Sequence, residues 1–148
     1  MRTMFLLVAG LLWAGQGSAQ AAEENCPELP TGAGVAWDVV QAPDFVFCKA
    51  IRESDGTQAF SVMLGPDPTF RPERGMREET GVIDGHRVRW YRGDVATMRE
   101  VHVRETLVEL GRRSNAHIVV RADTEDLLVR NQQLAEAMRF RATAVGGD

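Results

Sequence analysis

Two Asp-Gly pairs, Asp55-Gly56 and Asp84-Gly85, constrain the fold more than any other feature of this sequence. Each pair separates two short segments in which apolar residues alternate with polar ones, a pattern typical of strands with one buried face. An Asp-Gly pair between two such segments is the strongest short-range signal for a β-hairpin. The predicted hairpin strands are 45–53 with 57–64 and 78–83 with 87–91. The sequence therefore predicts an antiparallel sheet.

The C-terminal third of the chain is predicted to add two strands and a helix. Segment 98–110 is rich in β-branched residues, which favours a long strand, although its apolar residues also fit helical spacing. Segment 116–122 has the composition of a short buried strand. From Asp123 onward the spacing is helical, with Asp123 or Thr124 as the N-cap. The predicted apolar face comprises Leu127, Leu128, Leu134, Ala135, Met138 and the aliphatic part of Arg141.

These elements predict an α+β domain, an antiparallel β-sheet of about six strands with one C-terminal amphipathic helix packed on a face. A final strand that leads into an amphipathic C-terminal helix resembles the small exported sandwiches of the PsbP-like type. The resemblance is one of architecture across the chain after its N-terminal segment, and it implies a fold class without site residues. A fold of this kind does not determine function.

The N-terminus has the three parts of a secretory signal peptide. Arg2 precedes an apolar run, 4–14, and a stretch of small residues that ends in Ala19-Gln20-Ala21. The run is about half of the roughly 20 residues that a membrane-spanning helix needs, so no transmembrane segment is expected after cleavage. The predicted organisation is a cleaved signal peptide (1–21), an extended arm (22–43), a single α+β domain (44–142) and a frayed tail (143–148).

Cys26 and Cys48 are the two cysteines of the chain. An oxidising compartment favours their pairing, and two cysteines allow one intramolecular connectivity. A disulfide that closes a loop of this length would stabilise the fold by about 3 kcal/mol. A metal site is the alternative, but no histidine lies at ligand spacing from either cysteine. We therefore predict a disulfide that ties the arm to the domain.

Charge and composition limit the compartment and the partners. The formal net charge is −4, and loss of Arg2 with the signal peptide leaves −5. This balance disfavours a general nucleic-acid binder. Lys49 is the single lysine among many arginines, a bias typical of GC-rich genomes that, with the signal peptide, indicates a bacterial periplasm. Arginine's forked donor geometry at a recognition surface is the functional alternative.

No catalytic or metal-binding motif is specific in this sequence. His86, His102 and His117 lie on predicted strands, but the expected registers, with His86 opposite Glu105, place His102 about 10 Å or more from the other two. A zinc ion needs ligand nitrogens within about 2.1 Å, so no metal is expected. No serine lies in a nucleophile motif, and no glycine-rich phosphate loop precedes a helix. The expectation is a protein without enzyme activity or cofactor.

The long loop 65–75 is the first candidate binding segment. Loops of more than about 10 residues without secondary structure are uncommon in compact domains unless they are functional or disordered. This loop contains several prolines and places Phe70 near Arg71 and Arg74. A rigid loop with an aromatic residue and arginines is typical of a recognition surface. The alternative is that Phe70 folds back and caps the core.

The second candidate is one side of segment 87–91. Strand alternation directs Arg87, Arg89 and Tyr91 to one face, opposite Val88 and Trp90. An exposed face of an antiparallel sheet is normally polar, so solvation alone also explains these residues.

The favoured function is a small exported, non-enzymatic protein that binds another protein of the periplasm or envelope. An inhibitor or immunity protein, or an envelope accessory factor, fits this description. The alternatives are a small-molecule or envelope-glycan binding module and, second, an uncharacterised hydrolase. A concave apolar pocket would favour the small ligand, and a convex body with a protruding loop would favour the protein partner. The oligomeric state is left open.

Overall fold

The computed structural model describes residues 25–66, 70–93 and 101–141, in which the chain forms one sheet and one helix. The strands are β1 (Val35–Gln41), β2 (Val46–Arg52), β3 (Gln58–Gly65), β4 (Arg77–Ile83), β5 (His86–Arg92), β6 (His102–Gly111) and β7 (Ser114–Ala122). Helix α1 spans Glu125–Glu136, and a short 3₁₀ helix, Arg74–Met76, precedes β4. All neighbouring strands are antiparallel, in the order β1-β2-β3-β7-β6-β5-β4.

The α+β class and the two Asp-Gly hairpins, β2–β3 and β4–β5, are confirmed. The sheet has seven strands rather than about six. The additional strand is β1, which lies within the segment expected to be an extended arm. It pairs with β2 along its whole length, with Trp37 opposite Ala50. The predicted signal peptide, the tail 143–148 and the first residues of segment 98–110 lie outside the described residues.

The two faces of the sheet differ in what covers them. On the covered face, the side chains of Phe60, Ile118 and Trp90 are fully buried in the core. Helix α1 contacts β7 most extensively, and also β6, β3 and β4. The opposite face, called here the open face, carries half-exposed side chains of β2, β3, β7 and β6, together with exposed arginines of β5. The exposed arginines of β5 therefore lie on the open face.

Helix α1 begins as predicted and ends earlier than predicted. Thr124 is the N-cap, and its hydroxyl accepts a hydrogen bond from the backbone N–H of Leu127 at 3.2 Å. The helix ends at Glu136, so neither Met138 nor Arg141 belongs to its apolar face, although Met138 is buried in the core. The reason is a β-bridge in which Arg139 exchanges backbone hydrogen bonds with Glu28, at 2.7 and 3.0 Å. A helical backbone could not make these bonds.

The N-terminal part of the described chain is held to the sheet at several points. The sulfur atoms of Cys26 and Cys48 are 2.01 Å apart, at disulfide-bond distance, and both residues are buried. The indole N–H of Trp37 donates to the carbonyl oxygen of Pro27 at 2.8 Å.

No helix of the described residues is long and apolar enough to span a membrane.

Candidate functional site

The sheet is incompletely paired between β5 and β6. The ladder between these strands consists of Tyr91 opposite Glu105 and Arg92 opposite Arg104, whereas β6 pairs with β7 along its whole length. From Tyr91 toward the start of β5, the hairpin β4–β5 separates from β6. There the hydroxyl of Thr106 donates to the backbone carbonyl of Arg89 at 2.8 Å, so a side chain replaces a backbone donor. A cleft opens where the ladder ends.

The register at this point corrects the sequence-based expectation. Glu105 lies opposite Tyr91, and His86 precedes Tyr91 by five residues on β5. A register with His86 opposite Glu105 requires a tight turn near Val95, but the chain leaves β5 at Arg92 and enters β6 only at His102. The longer connection shifts the register.

The cleft between β5 and β6 has a volume of about 420 Å³. Its β5 side is lined by Arg87, Arg89 and Tyr91, and its β6 side includes Leu107 and Glu109. Phe70 and Pro72 of the loop 65–75 also line it, and the buried side chains of Val88, Thr106 and Val108 form part of its interior. Two segments that are distant in the sequence therefore contribute to one concave site.

Phe70 forms the aromatic wall of this cleft. Its ring centroid lies 5.6 Å from that of Tyr91, at an interplanar angle of 63°. It also stacks on His117, at 5.1 Å and 7°. Nε2 of His117 lies 2.8 Å from Oε2 of Glu105, which pairs across the strands with Tyr91. Phe70 is thus half-buried on the open face, where it neither protrudes nor joins the core of the covered face.

Arginines give the cleft and its surroundings a positive character. Arg87 and Arg89 are exposed, and neither forms an ion pair with any residue in the described ranges. The guanidinium of Arg89 makes one long contact, 3.5 Å, with the carbonyl oxygen of Glu78. Arg77 lies opposite Tyr91 on β4 and is also exposed. Charged groups without an acidic partner are available to a ligand.

Arg71 and Arg74 lie near the site but outside the lining of the cleft. Both are exposed residues of the loop 65–75, and Arg74 begins the 3₁₀ helix. Of the six residues predicted to bind, the structure therefore places four around the cleft and two on the loop beside it. His117 and Glu105 were not predicted as part of this site, because the contact of His117 with Phe70 and that of Glu105 with His117 depend on the order of the strands.

A second groove lies on the other side of the Phe70–His117 stack. It has a volume of about 330 Å³, and its lining includes Phe47, Met63 and Val119 as well as His117. Gln58, Ser61 and Arg121 complete its lining, so the groove offers both apolar and polar side chains. The aromatic stack therefore lies between an arginine-lined cleft and a groove of mixed lining on the open face.

Titratable groups with clearly shifted pKa values lie outside the cleft. The guanidinium of Arg104 donates hydrogen bonds to Glu79 and lowers the pKa of its carboxyl group, and Glu79 in turn raises the pKa of Arg104. The pKa of Asp55 is lowered because Thr57 donates to it from its hydroxyl and its backbone N–H. The Glu79 carboxylate links β4 to Arg104 of β6, and the Asp55 carboxylate stabilises the turn between β2 and β3. The described residues contain no group of three or more metal-ligating side chains placed to hold an ion.

No family model, curated protein or solved structure matches this chain. The resemblance to PsbP-like sandwiches therefore stays an expectation, and the candidate site depends on its own geometry.

Proposed function

We propose that this is a small exported, non-enzymatic protein that binds another protein of the periplasm or envelope through the β5–β6 cleft. One observation carries the proposal. Phe70 from the loop and Arg87, Arg89 and Tyr91 from β5 line the same concave site. Arginine and aromatic residues are enriched in the centres of protein interfaces, where they contribute most of the binding energy.

The surroundings of the cleft favour a macromolecular partner. Arg71, Arg74 and Arg77 extend the positive surface beyond the cleft, which a small ligand would leave uncontacted. On the other side of the aromatic stack, the second groove offers apolar side chains to the same partner. A partner that covered both grooves would bury aromatic residues centrally and leave arginines at the rim, as protein interfaces do. An inhibitor, an immunity protein or an envelope accessory factor could use such a surface.

Two features support the compartment. The N-terminal residues have the composition of a signal peptide. The pairing of Cys26 and Cys48 at disulfide distance is typical of proteins in oxidising compartments. Both features favour a bacterial periplasm.

The proposal is tested by capture of the partner with a charge-reversal variant. The exported protein, purified from the periplasm, serves as bait in a periplasmic extract, and captured proteins are identified by mass spectrometry. The variant is Arg87→Glu with Arg89→Glu. The matched control is Arg130→Glu, since Arg130 is exposed on α1, away from the open face. We expect one abundant protein with the wild type and the control but not with the double variant. Equal capture by all three, or no capture, would contradict the proposal.

The volume of the cleft supports a second candidate function. About 420 Å³ lies within the range of about 300–1,000 Å³ that is usual for small-molecule sites. A small molecule or an envelope-glycan fragment with an anionic group could bind to the same arginines. Such a ligand would raise the unfolding temperature of the wild type and not that of the double variant.

A further inference from the structure

The hairpin β4–β5 directs particular backbone groups into the cleft. Its two-residue turn makes Ile83 and His86 the closing pair, which exchange backbone hydrogen bonds. Because hydrogen-bonded pairs alternate along a ladder, Val88 bonds toward β4, and Arg87 and Arg89 direct their N–H and C=O groups away from it. The bond from Thr106 to the carbonyl of Arg89 agrees with this alternation.

The facing edge of β6 follows the same alternation. The backbone N–H of Gly93 donates to the carbonyl of Val103 at 3.2 Å, and Tyr91 pairs with Glu105. Alternate residues of β6 therefore direct their backbone groups toward β5. After Val103 and Glu105, the next two such residues are Leu107 and Glu109. These residues lie beyond the last β5–β6 pair and line the cleft. The cleft thus has a strand edge on each side.

The side chains on the β5 edge have the repeat of an extended peptide. Arg87 and Arg89 are two residues apart on the same side of the strand, a spacing of about 6.8 Å. Alternate residues of a bound extended segment have the same spacing, so two carboxylates at such positions could pair with both guanidinium groups. Phe70 and Tyr91 supply an aromatic surface at the end of the cleft where the pairing between β5 and β6 begins.

We infer that the β5–β6 cleft binds an extended acidic segment of the partner protein, with carboxylates at alternate positions paired to Arg87 and Arg89. The inference rests on the proposed function and specifies its ligand. Backbone groups of the segment bond to the N–H groups of Arg87 and Arg89 and to the carbonyl of Arg87, because the carbonyl of Arg89 already accepts from Thr106. Glu109 lines the β6 side, and its negative charge repels the acidic side chains of the segment, which therefore lie next to β5.

The free edges of the sheet lack this charge pattern. On the outer strand β1, the exposed Asp38 forms an ion pair with Lys49 at 2.5 Å, and the strand carries no arginine. On the outer strand β4, the pairing with β5 shifts register between Arg77 and Thr80. This irregularity shortens the regular part of the β4 edge to which another strand could pair. Charge complementarity therefore favours the cleft over either edge for an acidic segment.

Binding is tested by fluorescence anisotropy with synthetic peptides and the exported protein. The probe is fluorescein-labelled Ser-Phe-Glu-Val-Glu-Ser, and the control peptide has glutamine in place of both glutamates. We expect the glutamine peptide to bind at least about tenfold more weakly, because it loses two charge-assisted pairs. Arg87→Gln with Arg89→Gln should weaken binding of the acidic peptide by a similar factor, whereas Arg130→Gln should leave it unchanged.

Hydrogen exchange locates the bound peptide. We expect the backbone amides of Arg87 and Arg89 to exchange more slowly with the acidic peptide present, and those of β1 to be unaffected. Equal affinity for both peptides, absent binding, or protection at Val35–Gln41 instead would overturn the inference. If the periplasmic partner is nevertheless captured in an arginine-dependent way, the proposed function stands and only the extended-segment inference fails.

Discussion

Replacement of Gly81 by alanine tests the contact between β4 and helix α1. The indole N–H of Trp90, which is fully buried, donates to Oε1 of Glu136 at 2.7 Å. A Cβ on Gly81 would lie 3.1 Å from that nitrogen, 2.9 Å from Cδ of Glu136, and in conflict with its Oε1. The Glu136 side chain must therefore move, and the buried indole N–H loses its acceptor.

The expected magnitude follows from two opposing terms. An unsatisfied buried donor costs about 1–3 kcal/mol. Alanine in place of glycine, at a position without positive φ, returns about 0.4–1 kcal/mol by restricting the unfolded chain. The net destabilisation by Gly81→Ala should be about 1–2 kcal/mol. Gly111→Ala is the control, because a Cβ there meets open space, and its effect should stay within about 0.5 kcal/mol.

A double-mutant cycle identifies the cause of the destabilisation. In the Glu136→Ala background the carboxylate no longer opposes the new methyl group, which then meets the indole nitrogen of Trp90 at 3.1 Å, so Gly81→Ala should be close to neutral there. The coupling energy should therefore be about 1–2 kcal/mol. Urea unfolding at pH 7, followed by far-UV circular dichroism with the disulfide intact, measures it. Equal destabilisation in both backgrounds would refute the role of the Glu136 carboxylate.

Three further predictions concern other parts of the molecule. Because the hydrogen bonds from Arg104 lower the pKa of Glu79, the pair stabilises the fold above the ordinary glutamate pKa and loses this effect as the pH falls through the lowered value. Glu79→Gln should thus cost about 0.5–1 kcal/mol at pH 7, and urea unfolding should show this difference from the wild type shrinking as the pH falls below the ordinary glutamate pKa. Reduction of the Cys26–Cys48 bridge, which spans 22 positions, should cost about 3 kcal/mol, and an unchanged urea midpoint would contradict this. Phe70→Ala removes two ring contacts and should cost about 1–2 kcal/mol, and calorimetry that finds an unchanged melting temperature would show that these contacts do not hold the loop.

Local signals in the sequence account for the parts of the fold that could be predicted. The hairpins follow from turn residues and alternation within a few positions of Asp55-Gly56 and Asp84-Gly85. The N-cap at Thr124 and the alignment of Arg87 with Arg89 also depend on neighbouring residues. Strand β1 was missed because its short alternating pattern follows a region rich in proline and glycine, and because the tight turn before β2 has Pro43-Asp44 in place of an Asp-Gly pair. Its pairing depends on β2 as a partner.

The cleft itself depends on long-range order that no local pattern specifies. Its opening requires β5 to meet β6 at Tyr91 and then to separate, which depends on the long connection between the two strands. The role of Thr106, whose hydroxyl bonds to the carbonyl of Arg89, follows from that separation. The arginines of the site were predictable from alternation, but the concavity beside them was not.

The order of the strands also explains why the loop 65–75 is long. The chain leaves β3 and enters β4 at the far edge of the sheet, with β7, β6 and β5 between them. Four strand spacings of about 4.8 Å require the loop to cross about 19 Å. On its way over the open face it places Phe70 on His117 of β7 and Tyr91 of β5. Because the crossing is required by topology, a long loop would be present without any ligand. The feature that supports the proposed function is therefore the choice of residues, an aromatic ring set beside Arg87 and Arg89, which form no ion pair within the described ranges.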